Sequence, residues 1–151
     1  MRKSLLFADI SKKDRIVNSS NKNHKLKVAA YCRVSKAPES QLDSYELLNL
    51  YYRNHITINP DWSFVGVFSD EGKDTSAQFD QMIRMCKEKK IDLILCKSVT
   101  RFAENTTECI KYVKMLKRLG IGVIFEKENL NSLSKYGEHL LTMCCSLYKT
   151  E

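Results

Sequence analysis

The sequence predicts an α/β domain: a mostly parallel sheet of roughly four to five strands with helices on both faces. Three observations carry this. Short apolar segments alternate with longer ones whose apolar residues recur every three or four positions, from about Lys27 to the end of the chain. Strands separated by helices of that length form βαβ units, which force parallel pairing. At 151 residues the chain suits one core and is too short for two comfortable domains.

Residues 1–26 lack a sustained period and contain the turn-forming run NSSNKNHK, so they read as a basic flexible arm, with one domain over 27–151. Lys27–Val34 is the first strand. Glu39–Asn54 is helical, with Leu42, Tyr45, Leu48 (or Leu47) and Tyr52 on one face. Trp62–Ser69 is a second strand after the turn Asn59-Pro60-Asp61, and Ser76–Lys89 a helix burying Phe79, Met82, Ile83 and Cys86. Ile91–Cys96 is a third strand. A polar stretch, Lys97 to Asn105, leads into a helix with a capping box, Asn105 with Glu108, and the apolar face Cys109, Ile110, Val113, Leu116 and Leu119. Gly120 ends it. Gly122–Lys127 is a fourth strand, NLNSLSK a loop, and Gly137 onward a last helix.

Composition narrows the function. Residues 1–27 hold eight of the lysines and arginines against two aspartates, so nearly all of the formal net charge of +7 sits there. Such an arm either contacts phosphates non-specifically or stays solvated. No apolar run approaches the ~20 residues that cross a bilayer, and Leu5 to Ala8 is too short for a signal sequence, so the chain reads as cytoplasmic. The six cysteines lie in apolar periodic segments, with no C-x-x-C pair and no histidine at zinc spacing. They read as buried, reduced thiols, and neither metal nor cofactor is expected.

In parallel sheets, sites form beyond the carboxyl ends of the strands. Arg33 and Ser35 leave the first strand there, Asp70 the second, and Lys97 to Arg101 the third. No histidine stands at such an end, and neither G-x-S-x-G nor GxxxxGK[ST] occurs, which argues against a Ser-His-Asp hydrolase and a P-loop nucleotidase. Asp70, Glu71 and Asp74 follow one another on a turn and read as a solvated loop rather than a metal site. What remains is a serine with arginines, whose guanidinium forks suit phosphate oxygens.

At this point Y-C-R-V-S (31–35), S-D-E-G (69–72), K-S-V-T-R-F (97–102), Asn105-Thr106, E-K-E-N-L-N-S-L (126–133) and G-E-H-L (137–140) together resemble the catalytic domain of serine recombinases, the resolvase/invertase family, in its large-recombinase branch. The resemblance covers about residues 26–151. It implies a resolvase-like fold and site-specific DNA recombination through a 5′-phosphoserine intermediate, with no metal or ATP. Ser35 is then the nucleophile, and Arg33 and Arg101 are catalytic contacts to the scissile phosphate. Lys97 and Lys73 join both arginines in binding DNA. The last helix, about 137–151, matches the start of the family's dimerisation helix, with Leu140, Leu141, Cys144, Leu147 and Tyr148 as interface positions of a homodimer or tetramer.

The sequence departs from the family pattern at three places. The usual R-F-x-R-N is R-F-A-E-N here, so Glu104 stands where a second arginine belongs. The loop DEGKDTSAQF (70–79) is shortened and lacks an arginine, leaving Lys73 as its cation. Leu48 replaces the usual glutamine of the first helix, although Gln41 is retained. The site is therefore partly degenerate. The alternative reading is a catalytically inactive, recombinase-like protein that associates with DNA or with a complete recombinase.

Overall fold

Leu26–Val34 forms strand β1, buried through its middle because five successive small or apolar residues, Val28 to Cys32, can be covered on both faces. Around it follow α1 (Tyr45–Thr57), β2 (Trp62–Glu71), α2 (Ala77–Lys87), β3 (Leu93–Cys96), a one-turn 3-10 helix (Val99–Arg101), α3 (Thr106–Arg118), β4 (Gly122–Phe125), β5 (Leu130–Asn131) and α4 (Gly137–Lys149). This computed structural model describes residues 25–34, 45–72, 75–103 and 105–149. Most of the N-terminal arm, the start of the first predicted helix, Ser35, Lys73, Glu104 and the last two residues lie outside the described residues.

The sheet order is β2-β1-β3-β4-β5, parallel except for the antiparallel pair β4–β5. Odd and even strand positions face different cores. Ala29, Tyr31, Ile94, Cys96, Val123 and Phe125 pack with α2, α3 and α4 on one face. Val28, Ala30, Cys32, Val34, Leu93, Leu95 and Ile124 pack with Leu48, Tyr52 and Ile56 of α1 on the other. Helices thus cover both faces.

β2 contains a bulge. Val28 pairs with Phe64 but Ala29 pairs with Gly66, so Val65 is an extra residue and the alternation of β2 changes phase there. Trp62 and Phe64 consequently serve the α1 core, whereas Phe68 serves the opposite one.

Several boundaries differ from the sequence reading. The segment read as a loop contains β5, which is only two residues long and offers no alternation to detect. β2 runs two residues further, because Asp70 and Glu71 pair with Arg33 and Val34. β4 ends at Phe125, although Glu126 and Lys127 still donate their amides to the carbonyls of Cys96 and Lys97. The α3 signals read as written: Asn105 Oδ1 accepts from the Glu108 amide at 2.8 Å, and Gly120 follows the helix with φ +81°. Gly137 opens α4 so close to the Asn131 and Ser132 carbonyls that a Cβ there would collide with backbone.

Candidate active site

The carboxyl edge of β1, β2 and β3 brings together residues far apart in the chain. Arg33 sits in the penultimate position of β1, half-buried. Its Nη1 donates to the Gly72 carbonyl at 2.8 Å and to the Thr75 carbonyl at 2.7 Å. Its Nε is buried and has no acceptor among the described residues. The Val34 carbonyl accepts from the Gly72 amide at 2.7 Å, which draws the β2–α2 loop over the end of β1.

Arg101 arrives from the 3-10 turn after β3, and its Nη1 donates to the Arg33 carbonyl at 2.8 Å. The two arginines that sequence reasoning selected are therefore in direct contact, side chain to main chain. Both are held by backbone carbonyls, and among the described residues neither is ion-paired with a carboxylate.

The floor beneath them is aromatic. Phe102, next to Arg101, packs edge-on against Tyr31, Phe79 and Phe125, with ring centroids 6.3, 5.3 and 5.5 Å apart. Each such pair contributes about 0.5–1.5 kcal/mol beyond its buried area, so the turn carrying Arg101 is anchored by its neighbour.

Asp70 corrects the reading of its loop as solvated. It is buried, and its carboxylate accepts from the Tyr31 hydroxyl at 2.9 Å and from the amides of Gln78 and Phe79 at 3.0 Å each. Those amides belong to the first turn of α2, whose N-cap residue Ser76 makes no capping bond of its own. Asp70 caps the helix from seven residues upstream of Ala77, a carboxylate on the positive end of the helix dipole. Burial and the bond to Asp70 push the Tyr31 phenol well above its usual range.

The acids after β4 are also committed. Glu126 is buried and accepts from the hydroxyls of Tyr52 at 2.6 Å and Tyr51 at 3.1 Å. Burial followed by the neighbouring carboxylate raises both phenols, that of Tyr51 to about 12. Glu128 accepts from the Val99 amide at 3.2 Å and the Tyr148 hydroxyl at 2.7 Å. No local spacing in the E-K-E run (126–128) points to partners so distant in the chain, so neither acid carries a role in the sequence alone.

Lys97 is exposed on the loop after β3. Ser35 follows Val34 directly in the chain, outside the described residues, as do Lys73 and Glu104. The five positions read as an interface divide between two faces of α4. Leu141 is buried in the domain's own core, and Cys144 and Tyr148 pack against it. Leu140 and Leu147 are exposed, in line with Tyr136 and Met143, which sequence reading did not select. Helical period identifies a stripe but not which stripe a neighbouring element covers.

Comparison with known proteins gives a consistent result. The family model described as Resolvase, N terminal domain, matches residues 28–151. None of the curated proteins matches the chain. In fold the chain is similar to the N-terminal catalytic domain of TP901-1 integrase, at 19% identity over 82% of this chain and 95% of that one, with a TM-score of 0.63. It is similar to a resolvase family site-specific recombinase from Streptococcus pneumoniae at 24% identity, over 83% and 89% of the two chains, with a TM-score of 0.63. The C-terminal catalytic domain of ISC1926 TnpA, an IS607-like serine recombinase, gives 12% identity, coverage of 83% and 82%, and a TM-score of 0.52. At these identities the likeness is one of fold.

Proposed function

This chain belongs to the family of the resolvase N-terminal domain, and from that premise we propose that it cuts and rejoins DNA through Ser35 in site-specific recombination. The observation that carries the reading is the pair Arg33 and Arg101, brought from separate strands, held by carbonyls and left without carboxylate partners among the described residues. Two guanidinium groups suit the nonbridging oxygens of a phosphodiester and stabilise the extra negative charge of its transition state.

In the proposed step the Ser35 oxygen attacks the scissile phosphorus. A Ser35 Oγ–P bond forms as Oγ gives up its proton, the P–O3′ bond breaks, and the leaving 3′ oxygen takes up a proton, so that none is gained or lost overall. The product is a 5′-phosphoserine link and a free 3′-hydroxyl. Attack by a 3′-hydroxyl reverses the step and reseals a strand, so bond energy is conserved in the ester. Lys97 and Lys73 add charge for the DNA backbone. Leu140, Met143 and Leu147 supply an apolar stripe on α4 for a second copy, giving a dimer or tetramer that works in the cytoplasm. The arm over residues 1–26 adds non-specific phosphate contacts.

One observation favours a second reading. Glu104 stands where the family pattern has an arginine, and a carboxylate there opposes the phosphate. At about 4 Å and an effective dielectric of about 20, each charge pair is worth roughly 4 kcal/mol, enough to silence the chemistry. The protein is then an inactive family member that pairs with a complete recombinase.

Covalent trapping separates the two. The chain is fused to a DNA-binding domain of known site and offered a nicked suicide duplex. An adduct from the natural sequence that disappears in Ser35→Ala establishes the recombinase reading. An adduct formed only after Glu104→Arg, with an arginine added to the β2–α2 loop, establishes the inactive one.

A further inference from the structure

We infer that Glu128 is a positioning residue that makes the setting of Arg101 depend on how α4 is seated; the inference rests on the anion-binding role proposed above for Arg101. Glu128 divides its carboxylate between two elements that otherwise belong to different parts of the domain. Oε1 accepts from the Val99 amide at 3.2 Å, and Oε2 accepts from the Tyr148 hydroxyl at 2.7 Å. Val99 is the first residue of the 3-10 turn and Arg101 the last. Tyr148 lies near the far end of α4, eleven residues past Gly137, roughly three turns of helix.

Val99 is buried in the core, but the hydrogen bonds within the turn are long. The Arg101 amide donates to the Ser98 carbonyl at 3.1 Å and the Phe102 amide to the Val99 carbonyl at 3.2 Å, both long for backbone bonds. A single 3-10 turn has poorer hydrogen-bond geometry than an α-helix. Its amino end is therefore set by Glu128, its carboxyl end by Phe102 in the aromatic floor, and the Arg101 guanidinium by the Arg33 carbonyl. Of these three anchors Phe102 also packs on Phe79 of α2, and Glu128 is the one hydrogen-bonded to α4.

α4 presents its two faces to different surroundings. Tyr148 packs inward and holds Glu128, whereas Leu140, Met143 and Leu147 are exposed. A partner that seats on the outer stripe moves or fixes the same helix that carries Tyr148. Through the Tyr148 phenol, Glu128 and the Val99 amide, that movement reaches the turn of Arg101. Of the two bonds the one from Tyr148 is short, at 2.7 Å, and the one from Val99 is longer, at 3.2 Å, so a shift of the phenol carries the carboxylate with it and is felt at the Val99 amide.

The test is Tyr148→Phe in the full 151-residue chain, which removes the α4 half of the link and touches neither Val99 nor Arg101. Hydrogen exchange at the Val99 amide is expected to quicken by about tenfold, the scale of one charge-assisted bond. Adduct formation in the fused protein is expected to slow by a similar factor at saturating DNA. Glu128→Ala is expected to do at least as much, and Tyr148→Phe is expected to add nothing further in that background. Unchanged Val99 exchange in Tyr148→Phe, or two effects that multiply, overturns the inference. If Glu128→Ala fails to fold, Tyr148→Phe alone decides. A natural sequence that forms no adduct sinks the strand-cleavage reading, while Val99 exchange still settles the link to α4.

Discussion

Arg33 and Arg101 meet at one edge of the sheet, yet the regions that deliver them are built differently. Arg33 belongs to β1, a strand paired on both sides, and its guanidinium is gripped by the carbonyls of a loop drawn over the strand end. That loop is secured by Asp70, whose donors among the described residues come from β1 and the first turn of α2. Arg101 belongs to a single turn, fixed at its start by Glu128, which also answers to α4. One half of the site is closed on itself. The other is open to influence from a helix with an exposed apolar face.

This contrast can be broken most directly by removing each arginine. Both Arg33→Ala and Arg101→Ala are expected to slow adduct formation by about 100- to 1,000-fold, the usual loss for a group that stabilises transition-state charge. They differ in stability. Arg33→Ala also frees two loop carbonyls and is expected to lower the melting temperature, whereas Arg101→Ala leaves it nearly unchanged. Equal melting temperatures would remove the distinction between the two halves. Arg101→Lys is expected to recover little activity, because an ammonium lacks the planar fork.

Asp70 sharpens the comparison next. Asp70→Ala leaves a buried phenol and two helix amides without their acceptor, and chemical denaturation is expected to register a loss of about 3 kcal/mol. Tyr31→Phe removes one of those donors and is expected to cost about 1 kcal/mol. A loss in Asp70→Ala no larger than in Tyr31→Phe would mean that the α2 cap contributes nothing.

Smaller effects follow from the raised phenols and thiols. Tyr31, Tyr51 and Tyr52 hold their protons more tightly when folded than at the unfolded value of 10.0. Above that pH the folded state binds more protons than the unfolded one, so stability is full below pH 10.0 and declines as pH rises past it. A spectrophotometric titration is expected to show the Tyr51 phenolate near pH 12, ahead of Tyr31 and Tyr52. Among the cysteines, five are buried and only Cys144 is half-buried. A thiol reagent is expected to label Cys144 first and leave Cys86, which burial raises to about 12, untouched until unfolding.

Much of this architecture is written locally and could be read that way. Alternating strand and helix periods give the parallel sheet. The rule that parallel strands deliver residues at their carboxyl ends puts Arg33 and Arg101 together, and they do touch. Asn105 and Gly120 mark the ends of α3 by chemistry confined to a few residues. The features that escaped are those whose cause lies far away in the chain. Asp70 looks like a loop acid until α2 folds back onto it. Glu126 and Glu128 look alike in sequence, yet one serves α1 and the other the Arg101 turn and α4. Leu140 and Leu141 are equally apolar, and only packing assigns one outward and the other inward.

The bulge at Val65 decides how β2 tolerates changes of length. With unbroken pairing from Trp62 opposite Leu26, Asp70 would fall opposite Val34 and point into the α1 core, away from Tyr31; the extra residue brings it opposite Arg33 instead. Loss of any one residue from Ser63 to Ser69 can therefore be absorbed by straightening the strand, which keeps Asp70 opposite Arg33. A second loss moves the aspartate opposite Cys32, on the wrong side of the sheet, and uncaps α2. The irregularity thus gives the strand a single residue of slack, and in one direction.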